Sequence, residues 1–353
     1  MGNTTKIEWA DKTWSPWMGC SEAGPGCDHC YAKAMLDTRL HKVKWGPGQP
    51  RVHTENWDSP LRWNKQAAAR GHTIKVFPSV CDPFDNEVPP EWRQRFFNLI
   101  RDTPHLTWLL LTKRVGNAAR MIAEATEREH EIAFALKPWP NVWVGATVVN
   151  QQEADRDIPK LLATPAAHRF VSIEPMLGPV DLMATDYLTI KLGRYPFNLP
   201  DEHRTKLLHR LDWVIAGGES GPHARPSHPD WFRSLRDQCA AAGVPYLLKQ
   251  WGEWMPFANE QHYTTNTNGE EKHAHAWVDH DSGKHGLCWL IDDDGTWSNY
   301  TGNPLDEENE LRKGVCVMGK HGKKAAGRQL DGREHLEFPP GLEPYVSPPE
   351  PAA

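Results

Sequence analysis

Residues 142–175, VWVGATVVNQQEADRDIPKLLATPAAHRFVSIEP, contain the pattern that decides the fold of this chain. Two apolar runs, at 142–148 and 169–173, are typical of buried strands, and a helical pattern at 151–163 lies between them. A strand, a helix and a strand joined by short connections form the unit from which parallel sheets are built. The stretch therefore predicts two neighbouring parallel strands with a helix packed against them.

The same alternation extends over residues 74–250. Further strands are predicted near 74–80, 107–112, 213–216 and 246–249, with an initial strand near 13–17. Further helices are predicted from Pro90 onward and at about 116–134, 202–211 and 229–242. Because a closed barrel needs eight such strands, the sequence predicts an α/β fold with an incomplete or open (β/α) barrel of about six to seven parallel strands. An open doubly wound sheet is the alternative.

Beyond Trp254 the alternation stops and the composition changes. Residues 255–320 are rich in His, Asp, Asn, Gly and Trp, which indicates a small irregular or antiparallel β extension. Residues 339–353 are Pro-rich and are predicted to form a disordered tail. The predicted organisation is therefore a partial barrel over 1–254, an extension over 255–338 and this tail.

Composition limits the classes of protein to which the chain can belong. Hydrophobic residues make up 39% and aromatic residues 10% of the 353 residues, which supports a buried core and excludes a wholly disordered chain. A formal net charge of -6 disfavours a globally basic nucleic-acid-binding protein, although a local basic patch is compatible with it. There is no run of 18 apolar residues and no apolar leader, so we expect a cytoplasmic protein without membrane contact.

Three of the seven cysteines lie close together in the segment GCSEAGPGCDHCY, which starts at residue 19. Thiolates of Cys20, Cys27 and Cys30 could bind three irons of a 4Fe-4S cluster and leave the fourth iron open to a small molecule. A structural zinc site would need a fourth ligand, such as His29 or His41. Three reduced cysteines without any metal are the third possibility.

Polar residues follow the predicted strands at the ends where a (β/α) barrel carries its chemistry. These strand ends read SVCD (79–82), TKR (112–114), GAT (145–147), SIE (172–174), GGE (217–219) and KQ (249–250). Each of them, taken alone, is typical of a turn or a helix cap. Because the carboxyl ends of parallel strands meet at one edge of the sheet, the sequence predicts that these residues surround one pocket with the cysteines.

The three-cysteine loop, with His29 before its last cysteine and strand and helix patterns after it, resembles the radical S-adenosylmethionine (radical SAM) superfamily. Six residues separate the first two cysteines, where a shorter spacing is commonest in that superfamily. The chain also resembles a phage and prophage family of radical-SAM-like proteins, known by gene-product names and without a generally assigned substrate. This second resemblance covers about residues 6–338 and rests on the segments KIEW, WSP, CYA, LTKR, SIEP, GGESG, KQWGE and KKAAG.

The resemblance implies that Cys20, Cys27 and Cys30 bind the irons and that His29 lies against the adenine of SAM. One electron from an external donor would split SAM into methionine and a 5′-deoxyadenosyl radical, which takes a hydrogen atom from the substrate. Glu219 belongs to a segment that is similar in composition to the superfamily's glycine-glycine-glutamate motif. Since this segment follows a late strand, Glu219 could contact SAM or face the substrate.

The other contacts to SAM follow from chemical type. Its ammonium and ribose hydroxyls need carboxylates or small hydroxyls, and its carboxylate needs a lysine or an arginine. At the strand ends, the residues of these types are Ser79, Asp82, Lys113 or Arg114, Thr147 and Glu174.

A basic segment, residues 319–333, stands out in an otherwise acidic chain. It could bind the phosphates of a nucleic acid or nucleotide through Lys320, Lys323, Lys324, Arg328 and Arg333. A loop that covers the mouth of the barrel is the alternative. The preferred interpretation is a radical SAM enzyme that modifies a nucleic-acid base or nucleotide. The competing one is a zinc- or cluster-stapled nucleic-acid-binding module without catalysis.

Overall fold

The computed structural model describes residues 5–126, 137–183, 208, 210–256, 264–265, 271–272, 288–292, 297–299 and 315–343. Its centre is a sheet of seven parallel strands. The first nine strands are β1 (Lys12–Thr13), β2 (Trp17–Met18), β3 (Val52–His53), β4 (Ile74–Phe77), β5 (Leu106–Thr112), β6 (Val142–Thr147), β7 (His168–Ile173), β8 (Trp213–Gly217) and β9 (Tyr246–Gln250). The sheet follows the order β1, β4, β5, β6, β7, β8, β9. Strands β2 and β3 pair with each other, antiparallel.

Helices connect the strands and pack against the convex face of the sheet. They are α1 (Tyr31–Lys33), continued by a π-helix (Ala34–Arg39), α2 (Asp58–Arg70), α3 (Pro90–Arg101), α4 (Val115–Thr126), α5 (Gln151–Ala163), α6 (Pro229–Ala242) and α7 (Lys323–Ala326). Local chemistry sets their ends. The side chain of Asn150 accepts the N–H of Glu153 and so caps α5. Gly243 ends α6 at φ 66°, where a residue without a Cβ is favoured.

Side chains alternate between the two faces of the sheet, so each central strand contributes to two layers of core. On the concave face, the rings of Trp143, Phe170 and Trp213 fill the interior between neighbouring strands. Gly145 makes room for one of them, because a Cβ at this position would lie 2.4 Å from Cζ of Phe170. The sheet thus curls into a half barrel around an aromatic interior.

Residues 335–343 form a strap that crosses the base of the half barrel. Leu336 forms an antiparallel bridge with Leu247 of β9. At the other end of the strap, the carbonyl of Leu342 accepts a hydrogen bond of 2.8 Å from the ammonium of Lys75, in β4. The side chain of Leu342 is 4% exposed and packs into the concave core. The strap therefore seals the amino-terminal ends of the strands.

A second, antiparallel sheet follows the barrel and has the order β10, β15, β13, β14. The strands after the barrel are β10 (Trp254–Pro256), β11 (Thr264–Thr265), β12 (Glu271–Lys272), β13 (Cys288–Asp292), β14 (Trp297–Asn299), β15 (Val315–Lys320), β16 (Gln329–Leu330) and β17 (Arg333–Glu334). The predicted small β extension is therefore confirmed.

The predicted α/β partial barrel is confirmed with all seven strands in parallel. Two details differ from the prediction. The first strand ends at Thr13, because Trp17–Met18 pairs antiparallel with β3 instead of continuing it. The disordered tail predicted from residue 339 does not include residues 339–343, because the buried Leu342 anchors them.

Some predictions fall outside the described residues. They are the last part of the helix predicted at 116–134, most of the helix predicted at 202–211, and the tail over 344–353. Within the described ranges, no helix is long and apolar enough to cross a membrane.

Candidate functional site

A pocket lies at the carboxyl ends of the strands of the half barrel. Its volume is about 430 Å³, within the range of roughly 300–1,000 Å³ that is typical of small-molecule sites. Trp9, Phe77 and Leu111 give it an apolar floor. All ten residues predicted to bind metal or cofactor line it, namely Cys20, Cys27, His29, Cys30, Ser79, Asp82, Lys113, Thr147, Glu174 and Glu219. The predicted clustering is confirmed, and the role of each residue stays a prediction.

The cysteine loop is a compact turn that lies against the connection between β6 and α5. Pro25–Cys27 forms one turn of 3-10 helix, and Cys30 is the N-cap of α1. A Cβ at Gly26 would lie 2.7 Å from Cγ1 of Val149, so glycine is required there for the loop to approach the sheet. This close approach brings the three thiols to one pocket.

The three thiols share one pocket, but the described residues do not form a metal site around them. In the described part of the chain no group of three or more His, Cys, Asp or Glu residues is placed to hold a metal ion. One tetrahedral zinc needs ligands that converge on a point. A 4Fe-4S cluster binds each thiolate through a different iron, so its ligands surround the cluster without converging.

Arg114 lies between the cysteine loop and Asp82. Its guanidinium donates to the carbonyl of Ser21 at 2.7 Å and to the hydroxyl of Ser21 at 2.8 Å. Nη1 lies 3.4 Å from Sγ of Cys20 and 3.3 Å from Oδ2 of Asp82. Burial raises the pKa of Cys20 to about 12, with a further contribution from Asp82, and Arg114 opposes both. Arg114 is therefore placed to offset the charge of a thiolate at Cys20.

The carboxylate of Asp82 is occupied by protein donors. Oδ1 accepts the N–H of Phe84 at 2.9 Å and the hydroxyl of Thr112 at 2.6 Å. Oδ2 accepts the N–H of Lys113 at 3.1 Å as well as the guanidinium of Arg114. A carboxylate has about four acceptor positions, so Asp82 has little capacity left for a ribose hydroxyl or an ammonium. Its role in this arrangement is to position Arg114 and the end of β5.

Glu219 is the centre of an ion-pair network, here called the clamp, that joins the loop after β8 to the cysteine loop. Arg225 lies 2.6 Å from Oε1 and 2.8 Å from Oε2 of Glu219, and Nδ1 of His29 lies 3.1 Å from Oε2. Arg225 also donates to Oδ2 of Asp28 at 2.9 Å and to the carbonyl of Pro25 at 2.9 Å. Burial alone would raise the pKa of Glu219, but hydrogen bonds from Arg225 and His29 bring it below its usual value. Glu219 therefore anchors the cysteine loop.

Glu174 and Lys113 retain capacity for a ligand. Oε1 of Glu174 lies 2.7 Å from the ammonium of Lys249, and no group of the described residues donates to its other oxygen. The ammonium of Lys113 lines the pocket and makes no hydrogen bond or ion pair with any described residue. The site therefore offers an open carboxylate oxygen and an unpaired cation.

Small hydroxyl groups line the same walls. Thr147 and Ser172 are buried at the ends of β6 and β7, and Ser79 lies in the loop after β4. The hydroxyl of Tyr31 donates to the carbonyl of Ser79, which ties α1 to that loop. These groups can donate to or accept from a polar ligand without adding charge.

Of the five cations of the basic segment, Lys323 alone lines the pocket described above. Three of these cations contact other residues: Lys320 the carbonyl of Pro222 at 2.5 Å, Arg328 the carboxylate of Glu8 at 3.8 Å, and Arg333 the ring of His335 at 3.3 Å. Lys323 lines the pocket, whereas the exposed Lys324 beside it does not. Only part of the segment is therefore available to a ligand in the pocket.

Sequence reasoning missed several residues of the site. Arg225 carries the clamp, but its contact with Asp28 joins positions 197 residues apart, and no local motif indicates it. Ser172 lines the pocket as its quoted strand end predicts, although it was not among the residues proposed to contact SAM. Cys81 and Gln250 also line the pocket and belong to the quoted strand ends.

Comparison with known proteins places the chain in one family and no further. No curated protein and no solved structure is significantly similar to the chain. One family model, described as a protein of unknown function (DUF5131), matches residues 4–339 and thus nearly all of the sequence. The chain belongs to the DUF5131 family.

Proposed function

We propose that this protein is a radical SAM enzyme that acts through one 4Fe-4S cluster bound by Cys20, Cys27 and Cys30. The observation that carries the proposal is that these three thiols and the polar strand ends line the same pocket. A cluster with three protein thiolates keeps one iron open to a ligand, and the carboxyl ends of barrel strands are where such folds carry catalysis. The resemblance of the cysteine loop to radical SAM proteins supports the same function.

A 4Fe-4S cluster and SAM, when bound here and given one electron by an external donor, would supply radical chemistry for hydrogen abstraction from a substrate C–H bond. Lys113, which lacks a partner among the described residues, would bind the carboxylate of SAM. The open oxygen of Glu174 would accept a ribose hydroxyl, while Ser79 and Thr147 would contact its other polar atoms. The apolar floor at Trp9 would keep water from the reacting atoms.

Two of the predicted cofactor-binding residues have a different role in this proposal. Asp82 positions Arg114 beside Cys20, and Glu219 holds the cysteine loop through Arg225. His29 would lie against the adenine, since its contact with Glu219 holds the ring at the pocket wall.

The proposed substrate is a nucleic-acid base or a nucleotide, and Lys323 at the pocket is the observation in its favour. The proposed compartment is the cytoplasm. Free thiols, such as those of the cysteine loop, persist in reducing surroundings.

The function is tested by anaerobic purification, iron and sulfide analysis, and a SAM cleavage assay with a chemical reductant. We expect iron and sulfide in the proportions of one 4Fe-4S cluster and formation of 5′-deoxyadenosine. Replacing any one of Cys20, Cys27 and Cys30 with Ala should abolish the iron chromophore, because these three thiols come from one short loop at the pocket and each would bind a different iron. The control is Cys239→Ala, since Cys239 is buried in the core away from the pocket.

The competing hypothesis, a zinc- or cluster-stapled nucleic-acid-binding module without catalysis, predicts a different result in the same experiment. A colourless protein that holds one zinc per chain after anaerobic purification, and that neither binds nor cleaves SAM, would refute the enzyme. Normal iron in the triple Ala variant would refute the ligand assignment, and loss of iron in Cys239→Ala would move the site elsewhere.

A further inference from the structure

Positive charge in the pocket exceeds what its own carboxylates neutralise. Each of the three acidic residues that line it is paired with a cation: Asp82 with Arg114, Glu174 with Lys249 and Glu219 with Arg225. Three further lysines line the pocket, and their ammonium groups make no hydrogen bond or ion pair with any described residue: Lys6, Lys113 and Lys323. Unpaired ammonium groups around a partly enclosed cavity attract anions.

These lysines belong to two different places. Lys113 lies beside the cysteine loop, because its Cε is 3.3 Å from the position that a Cβ of Gly26 would occupy. Lys323 lies on the segment after the barrel, where burial and then the charge of Lys249 lower its pKa, while the carboxylates of Glu8 and Glu174 oppose this shift. Lys6 lies in the segment before β1, and Glu8 of the same segment approaches Arg328 at 3.8 Å. Lys6 and Lys323 are thus on neighbouring segments that both line the pocket, and this part of the pocket wall is here called the rim.

We infer that Lys323 and Lys6 form a second anion site at this rim, which binds the phosphate of a substrate nucleotide. The inference rests on the proposed function, in which Lys113 binds the carboxylate of SAM. A phosphate monoester carries close to two negative charges at neutral pH, and two ammonium groups would neutralise them. A carboxylate carries a single negative charge and needs only one ammonium group.

Gln250 is the observation that favours a nucleotide over another phosphate compound. Its side chain is 6% exposed and lines the pocket. The amide nitrogen donates to the hydroxyl of Ser220 at 2.9 Å, while the amide oxygen is buried and accepts no hydrogen bond from the residues that the structure describes. A buried acceptor without a donor is costly, and the amino or imino group of a nucleobase would satisfy it. A phosphate and such a donor occur together in a nucleotide, either free or within a strand.

The test compares Lys323→Met with Lys324→Met in the cluster-loaded protein. Both lysines are exposed residues of α7, but only Lys323 lines the pocket. The probes are inorganic phosphate, acetate, uridine 5′-monophosphate and a labelled single-stranded RNA 12-mer of mixed sequence. Loss of one charge-assisted contact should weaken binding of the phosphate-bearing probes about tenfold in Lys323→Met, and Lys324→Met should stay within about twofold of the parent. Lys323→Arg, which keeps the charge, should restore most of the affinity.

The RNA probe distinguishes a free nucleotide from a nucleotide within a strand as the substrate. If a strand is the substrate, it binds more tightly than the mononucleotide, and Lys323→Met lowers the slope of log affinity against log salt by about 0.7. If a free nucleotide is the substrate, RNA binds no more tightly than uridine 5′-monophosphate. Equal binding of acetate and phosphate, or equal affinities of the Lys323→Met and Lys324→Met variants, would overturn the site. Lack of iron in the parent protein would instead refute the proposed function, so the two failures are distinguishable.

Discussion

The pair formed by Arg114 and Asp82 should contribute far more to stability than its distance indicates. Nη1 of Arg114 lies 3.3 Å from Oδ2 of Asp82, and the two side chains are only 12% and 7% exposed. Replacing Arg114 with Met leaves a buried carboxylate without its cation, a change that typically costs about 3–5 kcal/mol. Asp82 keeps hydrogen bonds from Phe84, Thr112 and Lys113, so we expect the lower end of this range, about 3 kcal/mol.

The matched control is Arg120→Met in α4. Arg120 lies closer to its partner, 2.6 Å from Glu124, but the two side chains are 57% and 45% exposed. An exposed pair of this kind contributes about 0.3–0.5 kcal/mol, because water screens the charges and the side chains lose freedom. Burial and not distance should therefore decide the ranking of the two variants.

The assay is urea unfolding under anaerobic conditions, on protein of known iron content. A double-mutant cycle with Asp82→Asn isolates the pair, and we expect a coupling energy of about 2 kcal/mol. The reasoning would be wrong if Arg114→Met cost no more than Arg120→Met, or if the effects of Arg114→Met and Asp82→Asn were additive.

Two further predictions concern the half barrel and its strap. Gly145→Ala should cost about 1–3 kcal/mol and lower the Tm, because its Cβ would lie 2.4 Å from the ring of Phe170. Gly116→Ala, whose Cβ would approach its neighbours only to 3.6 Å, should not lower the Tm, and equal Tm values for the two would contradict this account of the interior. Burial, followed by the charges of Arg333 and Arg236, lowers the pKa of His335 in the folded protein. As the pH falls below about 6.5, the histidine of the unfolded chain therefore binds a proton before that of the folded chain does. Unfolding free energy should then fall between about pH 7 and 5, less steeply in His335→Gln, and parallel pH profiles would refute this role.

The sequence was sufficient for the fold because parallel strands are buried on both faces. Such strands appear as short apolar runs between helical patterns, and the runs at β5 to β9 are of this kind. The end of β1 was predicted less well. Trp17 is apolar, like the residues of a buried strand, and only its antiparallel pairing with β3 shows that it does not belong to β1. The sequence also did not indicate that residues 339–343 pack against the barrel. Their proline-rich composition is typical of a disordered tail, and a single buried side chain, Leu342, anchors them.

The site was predicted as a set of residues but not as a set of contacts. The strand-end rule brought Asp82, Glu174 and Glu219 to one pocket, because it depends only on strand order. Which of these carboxylates stays open depends on the partners that reach them. Arg114 is 32 residues from Asp82 in the sequence, and its choice of partner follows from the packing of two loops. Neither composition nor residue spacing indicates which cation pairs with which carboxylate.

The clamp determines when, during synthesis of the chain, the cysteine loop can form all of its contacts. Asp28 lies beside the cysteines, and its partner Arg225 is synthesised 197 residues later. While the chain is still emerging from the ribosome, the cysteine loop therefore lacks the residue that holds it against the barrel. The cysteine loop can therefore take up its clamped form only after translation has passed β8.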